Sequence, residues 1–339
     1  MDRSMSRYLT IPTQLDDAAI VDLATRAFDD GEPEALETAH RALYAIYAER
    51  IWRAPDAPRP PDEQHTIDRL RGEFECGFRA QLDRHREPHD AALEPPAPED
   101  TADWLEQLAL GDHPDEDGSW GEYVSQTASL DAMKRIVLQR SLFFLREPDP
   151  WIYAVPTLAG IAKAGLIDLL LDEYGWGKLD HMHSSVYARV MKALKLKTAR
   201  DHYEKQTSWQ YLATLNHQWM CALDPRLSRR LVGTIYLTEA DSPGAMTNYL
   251  AAWDRLGIDD TNVAEFYDLH VHADENHRDV ALHEVAMPVI EAEGPRAARE
   301  IAKGIFDGRA LEAAFATSEM ARAEAGNAPP ALAAATGTA

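Results

Sequence analysis

The chain has 339 residues, 45% of them apolar, with 57 acidic against 34 basic side chains, a formal charge of −23 and two cysteines. That is enough for one large core or two ordinary ones, and the charge excludes a nucleic-acid binder, which needs Lys and Arg gathered on one face. Cys76 and Cys221 stand far apart and outside any CxxC spacing, no stretch reaches the roughly 18 apolar residues that span a bilayer, and no apolar leader follows Met1, so a soluble, cytoplasmic protein without a disulfide framework is expected.

Helical spacing dominates the chain. From Asp16 to about Arg53 the apolar residues Ala19, Ile20, Leu23, Ala24 and then Leu36, Ala39, Leu43, Ile46, Tyr47 recur at three- and four-residue steps, the period of two amphipathic helices. The proline-rich segment 54–63 breaks that pattern, Thr66 to Arg84 resumes it, and 87–100, rich in proline and acid, reads as a second linker. Residues 1–125 are therefore expected to form an N-terminal helical extension with Pro-rich linkers. The main domain is expected over 126–322 and a disordered tail over 323–339, since the last fifteen residues carry no charge and no aromatic anchor.

Within the main domain, Ser129–Arg146 reads as an amphipathic helix that Pro148 and Pro150 stop just after Glu147. Further helices are expected at about 155–174, 180–195, 200–222, 225–239, 243–257, 261–284 and 294–304. The fold class is all-α, a helical bundle with polar groups gathered in its core.

The run YDLHVHADENHRD places His270, Asp274 and His277 at i, i+4 and i+7, on one face of a helix over two turns. A helix presents metal ligands in that way, although a solvated acidic helix carrying histidines has the same pattern. A dinuclear site in a bundle commonly needs about six carboxylate and imidazole ligands from several helices, so others must come from upstream. Glu173 follows Leu169, Leu170 and Leu171, at the edge of buried surface where an ionised acid is rare unless paired or metal-bound. His183 lies ten residues later. Along an unbroken helix that is about 15 Å, so a shared site requires an interruption at 175–179, where Gly175 and Gly177 flank Trp176. Glu147 ends the apolar run Leu142–Leu145, a position more often solvated, and its weight comes from the set.

Taken together, LREPDP with Glu147, DEYGWG with Glu173 followed by HMHSS with His183, and HVHADENH with His270, Asp274 and His277 resemble the haem-oxygenase-like non-haem diiron oxidases and oxygenases, often described as iron-containing redox enzymes. The resemblance covers about residues 130–290. It implies a haem-oxygenase-like bundle in which these six residues are the metal ligands and act in catalysis through two Fe(II) ions, with Mn(II) as the substitute, that activate O2. Carboxylates and imidazoles without thiolate suit such metals better than copper or structural zinc. Similar enzymes oxygenate an amine nitrogen or cleave and desaturate amino and fatty acids. Chain length favours N-oxygenation of an amine or amino-acid-derived small molecule in specialised metabolism; oxidative C–C cleavage or desaturation is the alternative, and a non-enzymatic helical interaction protein the remote one. The same fold hosts haem degradation, cofactor-free oxidation and thiamine hydrolysis, none of which needs the second carboxylate set. An external electron donor and a homodimer are compatible with the reading and not fixed by it. Asp149 departs from the pattern, standing where similar sequences favour histidine.

Several other residues bear on the site. Glu239, after the apolar part of GTIYLTEADSP, is a candidate further ligand or substrate contact, against a helix-end role. His272 and His181 are offset from the ligand face and read as surface or supporting residues. Arg229, Arg230 and Arg278 have the fork to bind a substrate carboxylate, with salt bridging the commoner use in so acidic a chain. Trp176, Tyr187, Trp209, Tyr236 and Phe266 read as core aromatics first and pocket walls second.

Overall fold

The structure is a computed structural model that describes residues 8–53, 58–111 and 119–327, with the side chains of 273–275 and 327 outside that description. Among the described residues it is helical throughout and contains no strand. Helices α1 (Asp17–Ala24), α2 (Pro33–Ile51), α3 (Pro61–Arg86), α4 (Thr101–Leu110) and the single turn α5 (Trp120–Glu122) precede α6 (Leu130–Phe144). They are followed by α7 (Gly160–Glu173), α8 (His183–Ala193), α9 (Trp209–Leu223), α10 (Ser228–Arg255), α11 (Thr261–Asp279), α12 (Met287–Glu293) and α13 (Pro295–Asn327). Side-chain caps start many of them: Asp16 accepts from the Ala19 amide, Ser129 from Ala132, Ser208 from Tyr211 and Asp260 from Asn262. Each occupies a backbone donor that the first helical turn leaves without a partner. No helix of the described residues is long and apolar enough to cross a membrane.

Several boundaries differ from the sequence expectation. Residues 200–208 form turns up to the Ser208 cap, so α9 begins at Trp209 and not near 200. A 3₁₀ stretch, Asp149–Thr157, occupies the expected start of α7. The helices expected at 225–239 and 243–257 are one, α10, with Pro243 inside it. Proline at 243 cannot donate to the carbonyl four residues back, that of Glu239. The helix nevertheless continues through it, and α10 as a whole packs on both α11 and α13. The final helix runs past 304 to Asn327, and the tail beyond it lies outside the described residues.

Buried apolar side chains form two clusters. One runs from Ile11 to Phe315 and takes in residues of α2, α3, α7, α9, α10 and α13, so the N-terminal helices are built into the same apolar packing as the later ones. The other joins α6, α8, α10 and α11 around Tyr187, Trp253 and Phe266. Helix α2 lies on α9, while α10 is packed against both α11 and α13. The α10–α13 crossing is a backbone contact. A Cβ on Gly233 would sit 2.0 Å from the Ile301 carbonyl oxygen, and one on Gly304 2.1 Å from that of Arg230.

Ion pairs also tie the N-terminal helices down. The buried Arg86 of α3 pairs with the buried Asp307 of α13. Asp201, in the turns before α9, accepts from Arg146 at 2.6 Å, Arg53 at 3.0 Å, the Trp52 indole at 2.9 Å and the Tyr44 hydroxyl at 3.2 Å.

Candidate metal centre

Six ionisable side chains converge between α6, α7, α8, α10 and α11. Glu147 follows α6, Glu173 ends α7, His183 opens α8, Glu239 lies within α10, and His270 and His277 stand two turns apart on α11. Each is 4% exposed or less. Three carboxylates and three imidazoles so deeply placed require compensation, because an isolated buried charge is very costly.

They fall into two groups. Glu147, Glu173, His183 and His270 each offer a donor atom within 4.8 Å of the others, and Glu173, Glu239 and His277 do the same. Glu173 belongs to both. Its Oε2 lies 2.8 Å from His183 Nδ1, while its Oε1 lies 3.6 Å from His277 Nδ1. His277 Nδ1 is also 3.5 Å from Glu239 Oε2. The rings of His183 and His270 are 4.5 Å apart. His270 Nδ1 lies 2.7 Å from the Phe266 carbonyl, so that nitrogen is the donor and Nε2 is the one left to coordinate.

The interruption expected at 175–179 is what allows Glu173 and His183 to meet. Gly175, Trp176 and Gly177 have φ values of 59°, 51° and 73°. Two 3₁₀ turns then return the chain to His183. Gly175 is required twice over, by its left-handed backbone and because a Cβ there would lie 2.5 Å from the His181 carbonyl carbon and the Met182 nitrogen. Glu147 is steadied from its neighbour: Arg146 pairs with Asp201 and stacks over the Trp52 ring at 4.1 Å. Asp149 accepts from the Tyr174 hydroxyl at 2.8 Å, joining the turn after Glu147 to the end of α7. Burial and the Asp149 charge push the Tyr174 phenol far above its ordinary range, so it stays a donor.

Of the six residues expected as ligands, the structure brings together Glu147, Glu173, His183, His270 and His277. The sixth, Asp274, lies on the α11 backbone at the expected offset, but its side chain is outside the described residues. Glu239 joins the second group from mid-helix rather than from a helix end. His272 is 76% exposed and His181 is exposed. Arg229 pairs with Glu293, Arg230 with Glu300, and Arg278 lies near Glu106 and Asp279, so these guanidiniums are engaged in salt bridges. Tyr187, Tyr236 and Phe266 are core residues and Trp209 is half-buried, but Trp176 is 60% exposed. The left-handed turn carries Trp176 out of the core, where its indole donates to Asp172 at 3.1 Å.

Two neighbours of the ligands escaped the sequence reading. Asp172 sits 3.0 Å from His277 Nε2, and Arg146 anchors the Glu147 turn. The available signal was adjacency, since each directly precedes a ligand candidate.

The model of a family described as iron-containing redox enzymes matches residues 134–313, a stretch that holds every residue of both groups. This chain belongs to the iron-containing redox enzyme family. Its all-α bundle fits the haem-oxygenase-like fold of that family. Over 176 residues, half of this chain, it is 28% identical to the nitrosourea synthase of Streptomyces achromogenes subsp. streptozoticus. The matched stretch spans 36% of that protein's length. As a family member the chain is an oxidoreductase. The donor chemistry of its buried groups, oxygen and imidazole nitrogen without thiolate, is compatible with iron.

Proposed function

We propose that this protein is a non-haem diiron oxygenase that activates O2 and N-oxygenates an amine or amino-acid-derived small molecule. The observation that carries the reading is Glu173, one buried carboxylate shared by two ligand groups. A single metal would need one group.

Glu147, His183 and His270 would hold one iron, Glu239 and His277 the other, with Asp274 added by its spacing, and Glu173 would span both. Four carboxylates then offset the four positive charges of two ferrous ions, which leaves the reduced centre near neutrality. Two ferrous ions held there would supply two electrons to O2, which an external donor would have to restore between turnovers. The chain's own residues orient and shield the centre. Phe266 lies with its ring 4.2 Å from that of His270, and Phe144 and Tyr187 pack around the pair, walling that flank against water. Chemistry at nitrogen is supported by the name of the relative, a nitrosourea synthase.

The test is metal analysis joined to product analysis. About two irons per chain are expected after anaerobic Fe(II) loading, and Glu173→Ala should lose both. Incubating the loaded protein with O2 and a panel of amines and amino acids should add one or two oxygens to nitrogen, read by mass spectrometry. An alkene with loss of carbon would instead establish oxidative C–C cleavage. A protein that binds no iron would return it to the cofactor-free or non-enzymatic class.

A further inference from the structure

The last two residues of α7 are both acidic, and they do different things. Successive residues on a helix point about 100° apart. Glu173 faces inward and is 2% exposed, whereas the neighbouring Asp172 side chain sits on the rim and is 39% exposed. Asp172 Oδ2 lies 3.0 Å from Nε2 of His277, and Oδ1 lies 3.1 Å from the Trp176 indole nitrogen. The opposite nitrogen of the same imidazole, Nδ1, faces Glu173 and Glu239 at 3.6 and 3.5 Å.

Protons assign themselves in this arrangement. An indole N–H only donates and an ionised carboxylate only accepts, so His277 Nε2 must carry the hydrogen between it and Asp172. In a neutral imidazole the lone pair then sits on Nδ1, the atom aimed at the two glutamates. His270, seven residues earlier on the same helix, is oriented by a different kind of partner, the Phe266 carbonyl of its own helix. The partner of His277 comes from α7, and is held in turn by a tryptophan whose φ of 51° few L-residues adopt.

We infer that Asp172 is a positioning residue that fixes His277 as an Nδ1 ligand of the second metal, with the Trp176 indole holding the Asp172 carboxylate in register. The inference rests on the diiron reading for its metal, but the proton on Nε2 can be observed without one. A carboxylate behind a ligating histidine both orients the ring and raises its basicity.

Two measurements on the full chain decide it. In metal-free protein labelled with 15N-histidine, above neutral pH, the His277 signal is identified by its loss in His277→Gln. Nε2 should be protonated in the parent protein, and Asp172→Ala should shift the population toward the other tautomer. In anaerobic Fe(II) titration against a competing chelator, Asp172→Ala should weaken the second of two irons about 10- to 100-fold and leave the first unchanged. Asp172→Glu should recover much of the loss, and Trp176→Phe should weaken the same iron by a smaller factor. The urea midpoint of metal-free Asp172→Ala should match the parent, which separates positioning from misfolding. Wild-type affinity for both irons in Asp172→Ala overturns the inference, as does a neutral His277 protonated on Nδ1 in the parent. If the parent binds fewer than two irons, the diiron reading falls and the tautomer alone decides the role of Asp172.

Discussion

The Nδ1 atom of His183 lies 2.8 Å from Oε2 of Glu173, although a straight helix would set residues ten apart about 15 Å from each other. The chain reversal at Gly175 creates that contact. Gly175→Val should therefore weaken iron binding at least tenfold and destabilise the fold by about 1–3 kcal/mol, through left-handed strain and collision with the His181–Met182 peptide. Gly177 has equally positive φ but open space around it, so Gly177→Ala should cost only about 1–2 kcal/mol and keep its iron. Fe(II) titration and urea unfolding of the two variants compare the effects.

Glu239→Gln should take one metal and leave the other. The group of Glu147, Glu173, His183 and His270 does not use Glu239, so iron content after gel filtration should fall from about two to about one per chain. Content that stays at two would remove Glu239 from the ligand set.

Asp201 is the shared anion of a buried network. Burial opposes its charge, but the charge and hydrogen bonds of Arg146, with those of Arg53 and Trp52, outweigh this and hold its carboxyl below the ordinary aspartate range. Asp201→Ala would strand Arg146, which is 5% exposed, and should cost about 3–5 kcal/mol in denaturant unfolding.

Two buried histidines should shape stability on opposite sides of neutrality. Burial lowers His40 to about 3. Its unfolded value is about 6.5, so the stability it contributes is complete above about 6.5 and is lost as pH falls toward about 3. For His217 burial again works against the charge, but Cys221 at 3.7 Å and Asp307 at 3.5 Å outweigh it and raise the value to about 10. That contribution is complete below about 6.5 and is lost as pH rises toward about 10. His40→Phe should flatten the acid limb of a plot of urea midpoint against pH, and His217→Gln the alkaline limb.

His272→Ala serves as the contrasting case. Its side chain is 76% exposed and meets Asp268 at 3.6 Å, so stability should change by less than about 0.5 kcal/mol and iron content not at all. A loss of iron in this variant would mean that α11 presents a different face to the centre.

Features fixed by local pattern could be read directly. A helix end close to Glu147 is written in Pro148, although α6 already stops at Phe144; the ligand face of α11 is written in the spacing of His270 and His277, and the turn at 175–179 in the need to fold Glu173 back onto His183. What depended on distant partners could not. The segment before Trp209 contains no helix breaker, yet Arg53, Trp52 and Arg146 hold Asp201 in a turn there. Pro243 looks like a terminus until α11 and α13 are seen packed along α10, and with the helix broken there Glu239 keeps a helix-end role as its alternative to a ligand's. Asp172 gains a role only from a histidine 105 residues away.

The backbone contacts of Gly233 with Ile301 and of Gly304 with Arg230 have a consequence at some distance. With no side chain on either glycine, the main chains of α10 and α13 meet directly, which leaves α10 little room to settle closer to α13. Glu239 stands six residues further along α10, about 9 Å of helical rise from that stop. The crossing thus works as a gauge: it sets how far the Glu239 carboxylate reaches toward Glu173, and a single methyl group added at either glycine would reset the spacing of a centre it never touches.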